Sequence, residues 1–348
     1  MKKEVQLSIC ISTFNRASFL GETLESILPQ ITETVEVVIV DGGSSDGTES
    51  VVRNYLDRCP RFRYHKQVKN KGVDRDFNEA VSLATGTYCW LFTDDDLMKP
   101  GAVQAVLSRL LSNPGLLVVN SEIRNRDFSR ILQEKALPFH EDRSYSAAEW
   151  SRFFLEVAGY CSFIGGIVIR KDIWDRRKKE PYFGTEFIHV GIIFQEPIHG
   201  DIEVLADPLI MIRYGNAQWT ARGFEIWMFK WPRLIWSFRD FTRSEKEKII
   251  REEPWRSMKE LITLRAKGCY SFSEYKKWLA PRLSTGSKKV ASMSISLLPG
   301  ALLNPICYMY FTKKYKDAGT LHIDLMNSRF FYKNIFRSFN NILPWRKK

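Results

Sequence analysis

The chain has 348 residues, of which 44% are apolar and 13% aromatic, and it carries a formal net charge of +12. This composition excludes a disordered chain, and the length allows one large core or two domains. Residues 282–348 hold twelve Lys and Arg against only Asp317 and Asp324, so the first 281 residues are close to neutral and any basic footprint belongs to the end of the chain. Six cysteines (Cys10, Cys59, Cys89, Cys161, Cys269, Cys307) lie far apart with no C-x-x-C spacing. That pattern fits buried thiols in a reducing compartment and supports neither a zinc site nor a disulfide framework. Lys2 and Lys3 are followed by no apolar core or small-residue cleavage site, so the chain reads as cytoplasmic.

Residues 7–13 form a short β-rich run, broken by Phe14, Asn15 and Arg16 before a helical pattern from Ser18 to Leu28 that ends at Pro29. Val35–Val40 reads as a strand, and the turn cluster Asp41–Thr48 supplies caps for a helix over 49–56. A third strand fits Phe62–His65 and a helix fits Asp74–Ala84; the strand Thr87–Thr93 then runs into Asp94, Asp95 and Asp96. A helix over 101–111 and a strand over 116–120 follow. Strands that are nearly all apolar and alternate with helices predict an α/β fold, a mostly parallel sheet covered by helices on both faces. Ligands of such sheets bind at the carboxyl ends of the strands. Thr13–Arg16, Asp41–Gly43 and Asp94–Asp96 all fall at those ends and should share one crevice.

Three adjacent carboxylates repel one another, and a strand end offers them little water, so they ask for a cation. Hard oxygen donors suit Mg²⁺ or Mn²⁺. The triplet alone is equally compatible with a solvated acidic turn that starts the helix after Pro100 and Gly101. With Asp41 and the glycines at a neighbouring strand end, the cluster suits a nucleotide diphosphate, Asp41 facing a base or ribose donor and the metal facing the phosphates. Neither G-x-x-x-x-G-K-[ST] nor G-x-G-x-x-G follows the first strand, which argues against an ordinary kinase or dehydrogenase.

The segments Ser8–Arg16, Val38–Thr48, Asn70–Gly72 with Asn78, Ala84–Tyr88, and Phe92–Asp96 with Pro100 resemble, in order and spacing, the motifs of family 2 glycosyltransferases. The resemblance spans about the first 120 residues. It implies the GT-A fold, a Rossmann-like sheet, and a nucleotide-diphosphate sugar donor with Mg²⁺ or Mn²⁺. It further implies that Thr13, Phe14, Asn15, Arg16 and Gly43 line the nucleotide pocket, that Asp41 binds the base, and that Asp94, Asp95 and Asp96 form the metal motif. Two departures stand out. The family's first metal-motif aspartate falls on Thr93, which leaves the work to Asp95 and Asp96 with Asp94 as ribose or metal partner. The family's Ala-Arg before the asparagine is Asp76-Phe77, with Asp74 and Arg75 just upstream. Asp74, Asp76 and Asn78, together with Trp90 ahead of the triplet, resemble O-antigen sugar transferases of the abequosyltransferase kind, with Asp74 and Asp76 on the nucleotide side.

Past residue 120 the pattern loosens, as suits an acceptor-binding half over 121–222. Ser146–Glu149 starts a helix, and Phe163–Ile169 reads as a strand whose Gly165 and Gly166 allow either close approach of substrate or tight packing. An inverting transfer needs a base for the acceptor hydroxyl. By the resemblance that base lies in Tyr182–His189, with Glu186 as first choice and His189, one turn on, as second; each also has a purely structural reading. His199 and Asp201 are a weaker metal or phosphate pair. After strands over 203–205 and 209–213, residues 213–219 form a polar, aromatic loop able to close over the donor, with Arg213 or Arg222 facing the phosphates.

Residues 223–348 read as a helical, basic, aromatic-rich region. Val290–Phe311 carries no charge, lies between Lys288-Lys289 and Lys313-Lys314, and is interrupted by Pro299-Gly300 and Asn304-Pro305, as in an interfacial or re-entrant element. Phe330, Phe331, Tyr332, Phe336, Phe339 and Trp345 alternate with Lys333, Arg337 and the terminal Arg346–Lys348, the pattern of an amphipathic helix on anionic lipid. The expectation is peripheral attachment to the cytoplasmic face of the inner membrane, near a polyprenyl-linked saccharide acceptor, without nucleic acid. A soluble helical subdomain with a basic face is the alternative for this region. For the whole chain, a nucleotidyltransferase of related fold and a non-catalytic membrane-binding module compete with the glycosyltransferase reading.

Overall fold

The two apolar runs at the start of the chain, β1 (Leu7–Thr13) and β2 (Val35–Asp41), pair in parallel along their whole length, with Leu7 opposite Val35 and Thr13 opposite Asp41. The structure is a computed structural model and describes residues 4–56, 58–59, 61–216, 222–314 and 319–331. Helices α1 (Ala17–Ile27), α2 (Thr48–Leu56) and α3 (Val73–Leu83) cover these strands, which is why β1 and β2 alternate so little between apolar and polar. β3 (Phe62–Lys66) lies outside β2, and β4 (Tyr88–Phe92) lies on the other side of β1, both parallel to their neighbours.

Beyond β4 the sheet is mixed. β9 (Ile167–Arg170) runs antiparallel between β4 and β6 (Leu116–Arg124), and β10 (Ile202–Arg213) runs parallel to β6. The order is β3-β2-β1-β4-β9-β6-β10, closed by the two-residue β5 (Leu97–Met98). The short β7 (Ile131–Gln133) pairs with β6, and β8 (Arg143–Tyr145) with β10, for ten strands among the described residues. Helices α4 (Ala102–Leu110), α5 (Trp150–Val157), α6 (Lys171–Arg176) and α7 (Ile188–Phe194) complete the layers. The core between sheet and helices is mostly Leu, Ile, Val and aromatic, with Trp90 fully buried and its indole N–H donating to the Gly165 carbonyl at 2.8 Å.

Two strand expectations change. Residues 164–166 form a 3-10 turn, and the strand begins only at Ile167. A Cβ on Gly166 would lie 2.7 Å from the Val119 carbonyl, and one on Gly165 would lie 2.4 Å from the Phe163 ring, so these glycines serve tight packing. Residues 202–213 are one strand whose pairing slips between Leu205 and Ile210, around Pro208, which has no N–H to give the ladder.

The chain divides into two compact units with boundaries other than residue 222. The first comprises 1–213 and 233–251, and the second 214–232 and 252–348. Residues 233–251 return to the first unit because the Phe241 ring stacks on Phe154 at 3.7 Å and also meets Trp150 and Phe194. The second unit is built from the helices Met258–Lys267, Ser287–Leu297, Gly300–Lys314 and Gly319–Met326, with an aromatic core that includes Phe224 stacked on Tyr270 at 4.8 Å. All six cysteines are free and buried.

The amino ends of the strands are pinned by a buried carboxylate. Glu36 accepts from the Ser8 hydroxyl (2.7 Å) and from the Thr85 amide (2.6 Å), while the Gly86 amide donates to Ser8 Oγ (2.9 Å). A Cβ on Gly86 would lie 2.6 Å from Ser8 Oγ and 2.8 Å from Ser8 N, and that strand backbone cannot give way. Gly86→Ala should therefore lower the unfolding free energy by about 1–3 kcal/mol, measured by urea denaturation. A wild-type midpoint would contradict this packing.

Candidate active site

At the carboxyl ends of β1 and β2 the backbone itself joins two loops. The Gly42 amide donates to the Thr13 carbonyl (2.9 Å), and Asn15, in the left-handed region at φ +54°, accepts from the Ser45 amide through Oδ1 (2.9 Å) while its own amide donates to Ser44 Oγ (2.8 Å). The Arg16 amide donates to Thr48 Oγ1 (2.9 Å). Asn15 thus fixes the wall of the crevice, a position Asn tolerates better than most residues. The Phe14 ring lies against Gly42.

Asp41, fully buried, accepts from the Ser44 amide on Oδ1 and from the Tyr64 hydroxyl on Oδ2, both at 2.7 Å. Asp76 Oδ1 accepts from Gln67 Nε2 (2.9 Å), and its Oδ2 sits where a Gly42 side chain would be, 2.7 Å from a Cβ built there. Burial, and after it the charge of Asp41, pushes the Asp76 carboxyl up to about 6. Gly43 takes φ +86° beside the Gln67 carbonyl, a conformation and a closeness that only glycine meets easily.

The acidic triplet splits. Asp96 turns inward, 2% exposed, where its Oδ2 accepts from the Thr93 hydroxyl (2.5 Å) and its Oδ1 from the Arg213 amide (2.7 Å). Asp94, buried at 9% exposure, and the partly exposed Asp95 share one cation, Arg16, whose Nε lies 3.4 Å from Asp94 Oδ1 and whose Nη2 lies 3.3 Å from Asp95 Oδ2. Burial, followed by the neighbouring Asp95 charge, raises the Asp94 carboxyl to about 7, and burial raises Asp96 as well. The Thr13 hydroxyl is buried beside Asp94 without a partner in good hydrogen-bond geometry. The turn is held from behind by α1 and the 3-10 turn Leu28–Gln30 that follows it. Thr23 Oγ1 donates to the Asp96 carbonyl (2.9 Å), Ser26 Oγ accepts from the Met98 amide (3.0 Å), and Gln30 Nε2 donates to the Lys99 carbonyl (3.0 Å).

Three residues expected at the ligand are used elsewhere. Arg213 has all its guanidinium nitrogens engaged inside the fold, Nε on the Asp95 carbonyl (2.8 Å), Nη1 on the Arg126 carbonyl (2.8 Å) and Nη2 on Glu22, with the Phe128 ring 4.2 Å away; it braces the acidic turn instead of facing phosphates. Asp96 is satisfied by the protein and is not presented as a metal donor. Asp74 accepts three backbone amides, from Gly184 (2.8 Å) and Glu186 (2.9 Å) on Oδ2 and from Ile188 (3.0 Å) on Oδ1. It therefore holds the loop in front of α7 and does not point at a nucleotide. Arg75 adds a contact of 4.1 Å over the Phe183 ring.

That clamp places Glu186. The residue takes φ +73°, a strained conformation for a side chain with a Cβ, and it stays there because its amide is one of the three tied to Asp74. Glu186 is partly exposed, whereas His189 is 1% exposed, with Nε2 2.7 Å from the Cys161 carbonyl. A carbonyl only accepts, so Nε2 carries the proton; Nδ1 is bare and buried without a partner, and burial pushes the imidazole down to about 4. His199 and Asp201 precede the amino end of β10, at the edge of the sheet opposite the crevice. Arg222 lies 3.8 Å from Glu225, and residues 217–219 of the expected closing loop lie outside the described residues.

Tyr64, Gln67 and the α1 hydroxyls escaped the sequence reading. Thr23 and Ser26 on α1 and Gln30 in the 3-10 turn that follows it recur at helical spacing, a signal that could have been followed.

Residues 8–172 match the family model described as glycosyl transferase family 2. Those residues form a family 2 glycosyltransferase domain. With such a domain the chain is a glycosyltransferase, and the separate nucleotidyltransferase reading falls away. The chain is 28% identical to abequosyltransferase RfbV of Salmonella typhimurium over 306 residues, 79% of this chain and 87% of that protein. Among solved structures it resembles S. aureus TarS 1-349 in complex with UDP, at a TM-score of 0.56 and 15% identity, over 98% of this chain and 93% of that one. It also resembles the mannosyltransferase PcManGT of Pyrobaculum calidifontis in complex with GDP-Man and Mn²⁺, at a TM-score of 0.52 and 14% identity, over 99% and 89%. The fold is that of the GT-A glycosyltransferases.

Two outcomes follow for the first unit. Asp74→Asn offers one acceptor where the carboxylate offers two and turns an NH₂ toward amides, so hydrogen exchange at residues 184–188 should accelerate, with a loss of about 1–3 kcal/mol in stability; unchanged exchange would contradict the clamp. His189 has its folded pKa depressed below the usual value of about 6.5, so the unfolded chain binds the extra proton between pH 6.5 and 4, and stability falls as pH falls through that window. Relative to His189→Gln, the wild type should lose on the order of 3 kcal/mol across the window, measured by denaturation at each pH. Parallel pH curves would show that the imidazole is not buried neutral.

Proposed function

We propose that the enzyme transfers a sugar from a nucleotide-diphosphate sugar to a hydroxyl of a saccharide carried on a polyprenyl-type lipid, in the synthesis of a bacterial surface polysaccharide such as O-antigen or capsule. The work would take place at the cytoplasmic face of the inner membrane. The observation that carries this reading is the meeting of Asp41 and Asp76 on one wall with Asp94, Asp95 and Arg16 on the next, at the carboxyl ends of β2, β1 and β4. The first wall would meet the base and ribose; Asp41 and Asp76 are buried there and already hold Ser44, Tyr64 and Gln67, so a donor on the nucleotide would share their remaining lone pairs. The second offers charge to a diphosphate. The name of the Salmonella relative supports the polysaccharide context, and the GDP-Man and Mn²⁺ of the Pyrobaculum structure support a donor of this class with a divalent ion.

The donor set fits Mg²⁺ or Mn²⁺. Among the described residues no three His, Cys, Asp or Glu side chains gather as a metal cluster, and such ions commonly take one or two carboxylates and leave the rest of their sphere to water and substrate phosphates. Asp94 and Asp95, which already share one cation in Arg16, would be those two. When bound, the ion would neutralise charge on the diphosphate leaving group.

Glu186 is the base in this reading. Its carboxylate accepts the proton of the acceptor hydroxyl while that oxygen bonds to the anomeric carbon. The bond from the same carbon to the diphosphate oxygen breaks, and its electron pair leaves with the nucleoside diphosphate. A single displacement of this kind inverts the anomeric centre. The partial exposure of Glu186 and the burial of His189 favour the carboxylate. Arg16, if drawn off the carboxylates by the ion, is placed to meet the diphosphate.

Asp95→Asn should abolish most transfer and most metal-dependent nucleotide binding while the melting temperature stays near wild type; transfer at the wild-type rate would remove Asp95 from the site. Glu186→Gln should lower kcat by roughly 10²- to 10⁴-fold with donor binding nearly unchanged. If His189→Gln shows that loss and Glu186→Gln does not, the base is the histidine.

A further inference from the structure

The helix Gly300–Lys314 has no charged residue before its last two positions and is apolar on opposite sides. At 100° per residue Gly300, Asn304, Cys307 and Phe311 fall on one side, and all four are buried. Asn304 Nδ2 donates there to the carbonyls of Ala266 (3.1 Å) and Leu325 (2.9 Å), and Cys307 and Phe311 pack with Ala266 and Leu325. On the other side Leu302 and Ile306 are 63% and 57% exposed, followed by exposed Met309 and Tyr310. The preceding helix Ser287–Leu297, bent by 99° from this one, adds exposed Val290 and Leu297, with Leu298 at the bend. Twelve large apolar side chains stand exposed among the described residues, and eight of them lie between Val290 and Met326, a concentration in this stretch of the chain. A helix that is apolar all round is ordinarily covered all round.

Charge identifies the cover. From Tyr275 to Lys316 the chain has eight Lys and Arg and no Asp or Glu. Lys313 falls on the face of Ile306 and Met309, and the Lys314 ammonium lies 3.2 Å from the Tyr310 hydroxyl, so cations end the stripe; Lys288 and Lys289 stand at the far end of the other helix. We propose that this bent pair lies in the headgroup region of an anionic lipid bilayer, with Leu298, Leu302, Ile306 and Met309 entering the acyl boundary and the lysines reaching up to the phosphates. No single described helix is long and apolar enough to cross a membrane, and the right-angle bend suits a wedge lying in one leaflet. A protein partner would have to match a bent apolar stripe ended by ammonium groups, whereas an acidic bilayer matches both features without a shaped surface. The proposal stands whether or not Glu186 is the base.

The full chain should co-sediment with vesicles of phosphatidylcholine containing phosphatidylglycerol, and less with phosphatidylcholine alone. Leu302→Glu/Ile306→Glu should weaken that binding by at least roughly tenfold, because two charges would enter the acyl boundary. Lys313→Glu/Lys314→Glu should erase the preference for anionic vesicles. Leu111→Glu, a change at an exposed apolar residue of the first unit, should bind as wild type does. Unaltered melting of each variant and unaltered binding of nucleoside diphosphate would show that the fold is kept. Equal sedimentation of the Leu302→Glu/Ile306→Glu chain and the wild type, or a wild type that ignores vesicles and forms a dimer which this variant dissolves, would overturn the proposal, the latter in favour of a second copy as the cover.

Discussion

Three consecutive carboxylates cannot share one environment, and the site depends on how this chain separates them. Asp96 goes into the fold, where the Thr93 hydroxyl and the Arg213 amide answer it. Arg213 then reaches round with its guanidinium to the Asp95 carbonyl, and Thr23 on α1 takes the Asp96 carbonyl. With the turn fastened on both sides, Asp94 and Asp95 have no choice but to face the crevice, where only a cation relieves them. Arg16 supplies that charge in this structure, at 3.3–3.4 Å.

The first turn of α3 performs a second division. Asp74 and Asp76 are two residues apart and diverge, one to the loop that carries Glu186 and the other to Gln67 and Gly42. A single helical turn thus sets the wall beside Asp41 and the loop in front of α7. Acidic residues at a helix start are favoured by the dipole in any case, which lowers the cost of burying both. The strain of Glu186 at φ +73° is held by bonds from a residue far away in sequence, not by its own neighbours.

β1, β2 and β4 were legible because each is a short apolar run, and the helices because Pro29, Gly47, Gly72 and Gly101 mark their bounds, and the ends of β1, β2 and β4 could be placed together from the rule for parallel sheets. Asp41 and the pair Asp94-Asp95 beside Arg16 lie where that rule put them. What could not be read was the use of a polar side chain whose partner is remote. Arg213 looks like a phosphate ligand until Glu22, Arg126 and Asp95 are seen around it, and Asp74 looks like a nucleotide contact until residues 184–188 fold onto it. Gly165 and Gly166 were open between substrate approach and packing, and only the nearness of Val119 and Phe163 decided for packing. The unit boundary was hidden for the same reason, since composition does not reveal that Phe241 stacks on Phe154.

The separation of the triplet is tested most directly by a crystal structure with Mn²⁺ and whichever of UDP, GDP, CDP or dTDP binds most tightly. The account predicts that protein oxygens from Asp95 and Asp94 reach the ion, that Arg16 leaves them, and that Asp96 keeps its bonds to Thr93 and the Arg213 amide. An ion ligated by Asp96, with Arg213 swung out to the phosphates, would contradict it.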